Sequence, residues 1–274
     1  MRKFASLLNF ELSRFLKFLV PTLLITAVVQ LYVTVSVSLE HNDMLERLAA
    51  SGESLERVPP FTMEAVTGSG LYELSIMLVV LVFMFYSFFT WYREWFGKNT
   101  FIYRLLMLPT NRSYLLMTKV LVFIIGGLLA FVFQFGMYAI QLPITEWLVN
   151  PDHYTRLHIH NVQPMFVSIQ NSLFPTTLFE FVSTYSFALA ALLSLFAGIL
   201  IERSFGMKGL VIGAGYFIGY FVLYVFLEVF LFNQLVTFPL RPSQIKITVL
   251  IYQMVMIVLG SIISSLLLKN KVKV

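Results

Sequence analysis

Three histidines in one short polar stretch are the residues whose type and spacing best suit a metal site. His153, His158 and His160 lie in HYTRLHIH, and the last two would project to the same side of a strand. Imidazole is a common zinc ligand, but a metal centre also needs a fourth ligand or a defined carboxylate pattern. Neither accompanies these histidines, so the sequence favours solvated loop residues and predicts no metal site. Because the chain contains no cysteine, thiolate metal sites and disulfides are excluded.

Gly97 and Lys98 superficially fit the end of a phosphate-binding loop. That motif requires two glycines separated by four residues and followed by Lys and then Ser or Thr. Here Tyr92 takes the place of the first glycine, Thr100 falls one residue late, and no hydrophobic strand precedes the stretch. The sequence therefore predicts that this chain does not hydrolyse ATP, has no catalytic residues and binds no cofactor itself.

Glu228 is the carboxylate in the most apolar surroundings, within YVFLEVFLF. Ionisable groups inside a membrane are costly and often functional. Glu228 and the neighbouring Tyr224 are therefore candidates for a substrate path or a gate. Because Glu228 falls near one end of its predicted helix, pairing with another charge and hydration in an outer vestibule remain alternatives.

Two other classes of membrane protein fit the sequence poorly. An intramembrane enzyme would need paired acids, a histidine cluster or a Ser–His pair within the membrane, yet every histidine falls outside the apolar runs. A secondary transporter would place charged or broken helices near the midplane in both halves, and the sequence has no such pattern.

The apolar runs predict an all-α, polytopic membrane protein with a single transmembrane domain, 1–274. The chain is 58% hydrophobic and 12% charged, whereas about a quarter of a soluble domain is charged. Residues 2–19 have the pattern of an amphipathic interfacial helix, after which Pro21 suits the first turn of a span. Each predicted span can cross a hydrocarbon layer of about 30 Å. The six spans are about 21–39, 71–92, 114–141, 177–201, 209–232 and 245–268.

The alternation of charge along the chain predicts the orientation of these spans. Fourteen of the nineteen lysines and arginines fall into four short segments, and cationic loops stay on the cytoplasmic side during insertion. Both termini and the loop 93–113 are therefore predicted to be cytoplasmic. The outer segments would be 40–70, 142–176 and 233–244, and 142–176 suits either a small cap or a partly buried helix. The lysines and arginines that give the net charge of +5 lie next to the predicted spans. This placement favours lipid headgroups over nucleic acid as their partner.

The stretch WYREWFGKNTFIYRLLMLPTNRSYLLMTK, residues 91–119, joins two spans on the predicted cytoplasmic side. A short helical piece over residues 98–107 is halted by Leu108-Pro109, and Thr110, Asn111 or Ser113 can cap the next helix. An amphipathic element with an exposed arginine suits docking onto a cytoplasmic partner. An ordinary interfacial loop is the alternative on physical grounds alone.

This stretch resembles the loop between the second and third spans of ABC-2 type transporter permeases. In that family a short coupling helix precedes a Leu-Pro turn, a polar cap, an aliphatic pair and a lysine. The corresponding elements here are Leu108-Pro109, residues 110–113, Leu115-Leu116 and Lys119. The six-span plan with an amphipathic N-terminal helix is also similar. The outer segment 142–176 and the short connection between the last two spans depart from the family pattern.

The resemblance implies a permease of the bacterial cytoplasmic membrane, in a complex that carries ATP and Mg²⁺ on a cytoplasmic ATPase subunit, present in two copies. A second permease subunit, identical or homologous, would complete the path, and the apolar wall favours amphipathic cargo such as an antimicrobial peptide, a lipid-linked molecule or a drug. A non-transporting sensor or immunity subunit is the alternative function. The implied contacts with the ATPase are Gly97, Lys98, Phe101, Arg104, Leu105 and Met107.

Four glycines of the fifth span form two pairs at a spacing of four residues. Small residues at this spacing allow helices to approach closely, within one subunit or across a dimer. Helix packing is therefore predicted for these positions, with a hinge as the alternative. The residues are Gly209, Gly213, Gly215 and Gly219.

Overall fold

The computed structural model describes residues 2–52, 58–95, 112–155, 177–237 and 242–270. Within these ranges the backbone is almost entirely helical, with one 3₁₀ turn over Pro151–His153. The α-helices are α1 (Arg2–Ser51), α2 (Met63–Thr67), α3 (Gly70–Trp95), α4 (Ser113–Leu148), α5 (Leu178–Phe205), α6 (Met207–Thr237) and α7 (Pro242–Asn270).

Six of the described helices, all except α2, are long and apolar enough to cross a membrane. This confirms the predicted all-helical fold and the number of candidate spans. Two of the helices are much longer than one crossing requires. At about 1.5 Å per residue, the 50 residues of α1 and the 36 residues of α4 measure roughly 75 and 54 Å, against a hydrocarbon layer of about 30 Å.

The N-terminal region differs from its prediction, because α1 continues through Pro21 as one helix. A separate interfacial helix over residues 2–19 is therefore not confirmed. A proline inside a helix costs a backbone hydrogen bond, but one buried face runs without a break from Phe15 and Leu19 to Thr22 and Thr26. Packing along this face outweighs the local cost at Pro21.

The helix α4 also extends past its predicted end at residue 141, through Pro143 to Leu148. The first part of the predicted outer segment 142–176 is thus a continuation of the span. Residues 156–176, with His158 and His160, lie outside the described part of the chain.

Contacts divide the chain into two compact units. The first unit comprises Met1–Ser13, Met84–Ile124 and Thr177–Val274, and the second comprises Arg14–Phe83 and Ile125–Thr176. Helices α1, α3 and α4 contribute residues to both units.

In the first unit, α5 is the buried helix against which α6 and α7 pack. Its residues 192–201 are all buried. Gly198 of α5 and Gly213 of α6 face each other so closely that a Cβ on Gly198 would lie 2.9 Å from the Gly213 carbonyl oxygen. On α7, a Cβ on Gly260 would lie 3.0 Å from the Cβ of Leu193. Small residues thus allow both close approaches.

In the second unit, α1 turns an uncharged polar stripe inward and an apolar face outward. The inward residues recur every four positions, which places them on one side of the helix, and all are buried. They are Thr22, Thr26, Gln30, Thr34 and Ser38. Leu24, Val28 and Tyr32 are among the exposed residues on the opposite face. This arrangement suits a helix that has lipid on one side and other helices on the other.

The middle of the stripe joins α3 and α4 in a closed hydrogen-bond network. The Gln30 side-chain amide donates to Ser75 Oγ (3.2 Å) and to Gln134 Oε1 (2.9 Å). Gln134 Nε2 in turn donates to the Tyr72 hydroxyl (2.8 Å), which donates to Gln141 Oε1 (3.1 Å). We call the α1 stripe, these partners from α3 and α4, and the buried Thr145 of α4 the polar seam.

Removing one member of the polar seam should weaken the fold measurably. Gln134→Leu deletes three hydrogen bonds and leaves Tyr72 and Gln30 short of partners. Polar contacts between membrane helices contribute about 0.6 kcal/mol each on average, so we expect a loss of about 1–2 kcal/mol. Denaturant unfolding of the purified protein in detergent measures this loss. The neighbouring Phe135→Leu, on an exposed position, should change stability little, and equal effects of the two variants would contradict the assignment.

One end of the polar seam adjoins a compact apolar cluster in which residues of α1 and α3 pack with residues of the segments between the long helices. Phe61 is 2% exposed and pairs with Tyr154 through a parallel β-bridge. Its N–H donates to the carbonyl oxygen of His153 at 2.6 Å, and Thr155 N–H donates to the Phe61 carbonyl oxygen at 3.0 Å. The cluster brings parts of the predicted outer segments 40–70 and 142–176 together. Its buried members are Val33, Phe61, Met63, Val66, Tyr72, Ile76 and Val149.

Candidate functional site

Lys119, in the second turn of α4, is one of three fully enclosed charged residues among those the structure describes, with Glu11 and Glu94. Its side chain is 1% exposed. The ammonium group donates to Glu94 Oε1 at 2.8 Å, Glu11 Oε1 at 3.2 Å and both oxygens of Thr90, O at 3.0 Å and Oγ1 at 3.1 Å. It also lies 5.1 Å from the centre of the Trp91 ring, within the range of a cation–π interaction. One ammonium group thus joins α1, α3 and α4.

Arg93 adds a second positive charge to the group of side chains around Lys119. Its guanidinium Nη2 lies 3.7 Å from Glu11 Oε2, and its Cζ lies over the rings of Phe89 and Tyr86 at 5.4 and 5.9 Å. With all four groups ionised, two cations balance two carboxylates. We call Glu11, Arg93, Glu94 and Lys119 the ion cluster.

The cluster forms because helical spacing gathers its members from three short stretches. Thr90 and Glu94 are four residues apart on α3 and therefore share one face. Glu11 and Lys119 lie near the first turns of α1 and α4. Burying two carboxylates is costly unless they are paired and hydrogen-bonded. Each carboxylate here is paired with Lys119, so the three helix ends hold one another in a fixed register.

Further contacts tie the same end of α3 to α5. The Tyr92 hydroxyl donates to Glu202 Oε2, and the Arg203 guanidinium lies 4.9 Å from the Tyr92 ring centre and 5.7 Å from that of Trp95. The buried Trp91 meets Phe196 edge-on, with ring centres 5.7 Å apart. The last turn of α3 is therefore fixed on several sides.

Arg112, immediately before α4, is tied to the last turn of α7. Its Nη1 donates to the carbonyl oxygen of Leu268 at 3.1 Å. A cation there satisfies a carbonyl that has no intrahelical partner and complements the negative end of the helix dipole. The described residues that flank 96–111, Trp95 and Arg112, thus both contact other helices.

The chemistry available to the ion cluster is electrostatic positioning. It has no hydroxyl, thiol or imidazole nucleophile paired with a base, and its carboxylates are engaged by cations. Among the residues the structure describes, no three His, Asp or Glu side chains come together as metal ligands. The cluster is therefore suited to hold α1, α3 and α4 in a fixed register.

The residues predicted to contact an ATPase lie outside the described part of the chain, within 96–111. They are Gly97, Lys98, Phe101, Arg104, Leu105 and Met107. The side chain of Glu228 is also outside the description, although its backbone belongs to α6. The ring of Tyr224 packs 4.6 Å from that of Phe187 and 6.2 Å from that of Tyr252, between α5 and α7.

The four glycines predicted to pack helices divide into two pairs. Gly209 and Gly213 face α5, and a Cβ on Gly209 would lie 2.5 Å from the carbonyl oxygen of Ile201. A Cβ on Gly215 or Gly219 would meet no atom of another described element within 4 Å. Close packing inside this chain thus involves the first pair.

Sequence reasoning picked out Lys119 only as the last element of a motif and missed its two carboxylates. No pattern in the sequence singled out Glu11 or Glu94 as its partners. A signal was present, because acids that interrupt apolar helices among cations are expected to find a partner.

No family model, curated protein or solved structure matches this chain.

Proposed function

We propose that this chain is the membrane-spanning permease subunit of an ATP-binding cassette exporter that moves an amphipathic substrate. Two such subunits, identical or homologous, would form the path, and two cytoplasmic ATPase subunits would hold ATP and Mg²⁺. The proposal is supported by six apolar helices and by the resemblance of residues 91–119 to the coupling loop of ABC-2 permeases.

The observation that carries the proposal is the anchoring of both ends of the loop 96–111. Trp95 ends a helix whose last turns contact α1, α4 and α5, and Arg112 contacts the end of α7. An ordinary interfacial loop needs no such network of buried ions at its base. A loop that receives force from a partner needs such a network, because the force must reach the spans without being lost in local bending.

In the proposed mechanism, ATP binding closes the two ATPase subunits and draws the docked loops together. The ion cluster passes this displacement to the ends of α1, α3 and α4, while Arg112 passes it to α7. The ATPase shifts the population of two permease conformations only to the extent that it binds them with different affinity. This chain contributes the path and the coupling elements, and the ATPase contributes the free energy.

The docking assignment is tested by Arg104→Glu and Phe101→Ala in the full complex. We expect each variant to reduce co-purification of a P-loop ATPase by at least about tenfold, since charged and aromatic anchors dominate the affinity of interfaces. Quantitative mass spectrometry of the purified complex measures the ratio of the subunits. Lys208→Glu, which is exposed and lies outside the loop, is the matched charge-reversal control.

Two outcomes would correct the proposal in different ways. If the ATPase stays bound in both loop variants and its hydrolysis is unaltered, the docking site is wrong. If the complex forms and cargo stimulates hydrolysis without crossing the membrane, the sensor or immunity function is correct instead of export.

A further inference from the structure

The apolar cluster around Phe61 covers one end of the polar seam. A helix bundle that only spans the membrane does not need such a buried polar surface. Ten buried side chains of the polar seam are uncharged hydrogen-bonding groups, from α1, α3 and α4. They are Thr22, Thr26, Gln30, Thr34, Ser38, Tyr72, Ser75, Gln134, Gln141 and Thr145. The seam extends along α1 in the direction of Ser51, and residues 58–69 cover the seam at that end.

The covering residues come from short segments rather than from long helices. Residues 58–69, which include α2, supply Phe61, Met63 and Val66, and all three are at most 3% exposed. Tyr154 stacks on Phe61 with ring centres 6.4 Å apart, and its hydroxyl lies 3.4 Å from Thr145 Oγ1 of the seam. Residues 58–69 together with Tyr154 are called the lid below.

The lid is attached to the helices through a small number of specific contacts. The Phe61 backbone forms the two bridge hydrogen bonds to residues 153–155, and its ring lies 5.1 Å from that of His41. The chain that leads to Tyr154 is held to α1 by Asn42, which donates to the carbonyl oxygen of Leu148 at 2.8 Å and accepts from Asn150 N–H at 3.4 Å. Among the described residues, a third backbone hydrogen bond joins residues 58–69 to α3, because the Ser69 carbonyl oxygen accepts from Glu73 N–H at 3.1 Å. Opening the lid breaks these few backbone bonds and the packing of Phe61, Met63 and Val66, whereas opening a long helix breaks a hydrogen-bonded ladder along its whole length.

We infer that the lid is a gate over the polar seam, which opens to expose Thr34 and the neighbouring seam residues to solvent. In the predicted orientation this is the outer side of the membrane. The seam presents amides and hydroxyls and no charged side chain, so it suits an uncharged hydrogen-bonding part of a transported molecule. Only this transport role rests on the proposed function; the lid itself does not.

The absence of native cysteine allows a direct accessibility test. Thr34→Cys places a single thiol in the seam at a residue that is 0% exposed. A neutral, membrane-impermeant polyethylene-glycol maleimide is added outside intact cells, and labelling is followed by the shift in gel mobility. We expect slow labelling of Thr34→Cys alone, and labelling at least about tenfold faster when Phe61→Ala removes the central ring of the lid.

Three controls separate opening of the lid from general damage. Ser51→Cys, at the exposed end of α1, should label rapidly in every background and reports the predicted orientation. Phe85→Ala, at a position that is 74% exposed, should leave labelling of Thr34→Cys slow. Ser186→Cys, buried in α5 near the predicted outer end of that helix, should stay unlabelled when Phe61→Ala is present.

A second lid variant, Tyr154→Ala, guards against misfolding of the first. Faster labelling of Thr34→Cys with Ser186→Cys still protected, in either variant, supports the lid. Unchanged labelling of Thr34→Cys in both variants overturns it. Labelling of Ser186→Cys in both variants also overturns it, because residues 58–69 would then be a packing element of the whole fold.

A final experiment distinguishes the existence of the lid from its proposed role in transport. With the ATPase co-expressed, ATP turnover should speed labelling of Thr34→Cys in the chain with an intact lid. If ATP turnover does not change the labelling of Thr34→Cys while Phe61→Ala still speeds it, the lid is supported and its role in ATP-driven transport is wrong.

Discussion

Replacing Lys119 with methionine is expected to destabilise the protein by about 3–5 kcal/mol, which is the usual cost of removing one partner from a buried ion pair. Methionine preserves the length and apolar stem of the side chain but removes the charge. Glu11 and Glu94 would then remain buried without the ammonium group that both contact. Unfolding in detergent, followed by loss of the monodisperse peak in size-exclusion chromatography, measures the effect.

A second substitution distinguishes loss of charge balance from loss of packing. Lys119→Met combined with Glu94→Gln leaves Glu11 opposite Arg93, so one negative charge again faces one positive charge. The double variant should therefore recover a large part of the lost stability, since residues in one network are energetically coupled. Lys17→Met, at an exposed position, should be nearly neutral. A double variant less stable than Lys119→Met alone would show that the cluster is not held by its charges.

The second large effect is expected at Gly213, where α5 and α6 approach each other most closely. A methyl group there would press on the backbone of Gly198, whose carbonyl carbon would lie 3.1 Å away. Overpacking of a tight contact typically costs about 1–3 kcal/mol, and backbone atoms cannot yield by changing rotamer. Gly213→Ala should accordingly lower the thermal stability of the purified protein.

Gly215→Ala is the matched control on the same helix. Its added methyl group meets no other described element within 4 Å, and replacing glycine by alanine inside a helix stabilises it by about 1 kcal/mol. The two variants should therefore shift stability in opposite directions. If Gly215→Ala is the more damaging of the two, that face of α6 packs against a second subunit.

The number of spans could be predicted from the sequence because a membrane imposes a simple rule. Each crossing needs about 20 apolar residues in a helix, and such runs are visible one at a time. The continuity of α1 through Pro21 could not be predicted in the same way. The sequence shows the local cost of the proline, whereas the buried face that outweighs this cost depends on α3 and α4.

The ion cluster and the polar seam also could not be predicted from the sequence of each helix by itself. Glu11 and Lys119 are 108 residues apart, so their pairing depends on how the helices assemble. The stripe from Thr22 to Ser38 is visible as a spacing of four, but only its partners Gln134 and Tyr72 reveal a network. For the glycines of α6, the sequence predicts close packing and the structure selects Gly209 and Gly213 as the pair that faces α5.

Central to the proposed function is a permease subunit that is driven by a separately encoded ATPase. Its most direct test is ATP hydrolysis in lipid vesicles that contain the purified chain alone, or the chain together with the P-loop subunit that co-purifies from its native membrane. We predict no hydrolysis by the chain alone, and hydrolysis by the pair that Arg104→Glu returns to the rate of the isolated ATPase. Complete transport by the chain alone, with no nucleotide and no companion subunit, would contradict the account.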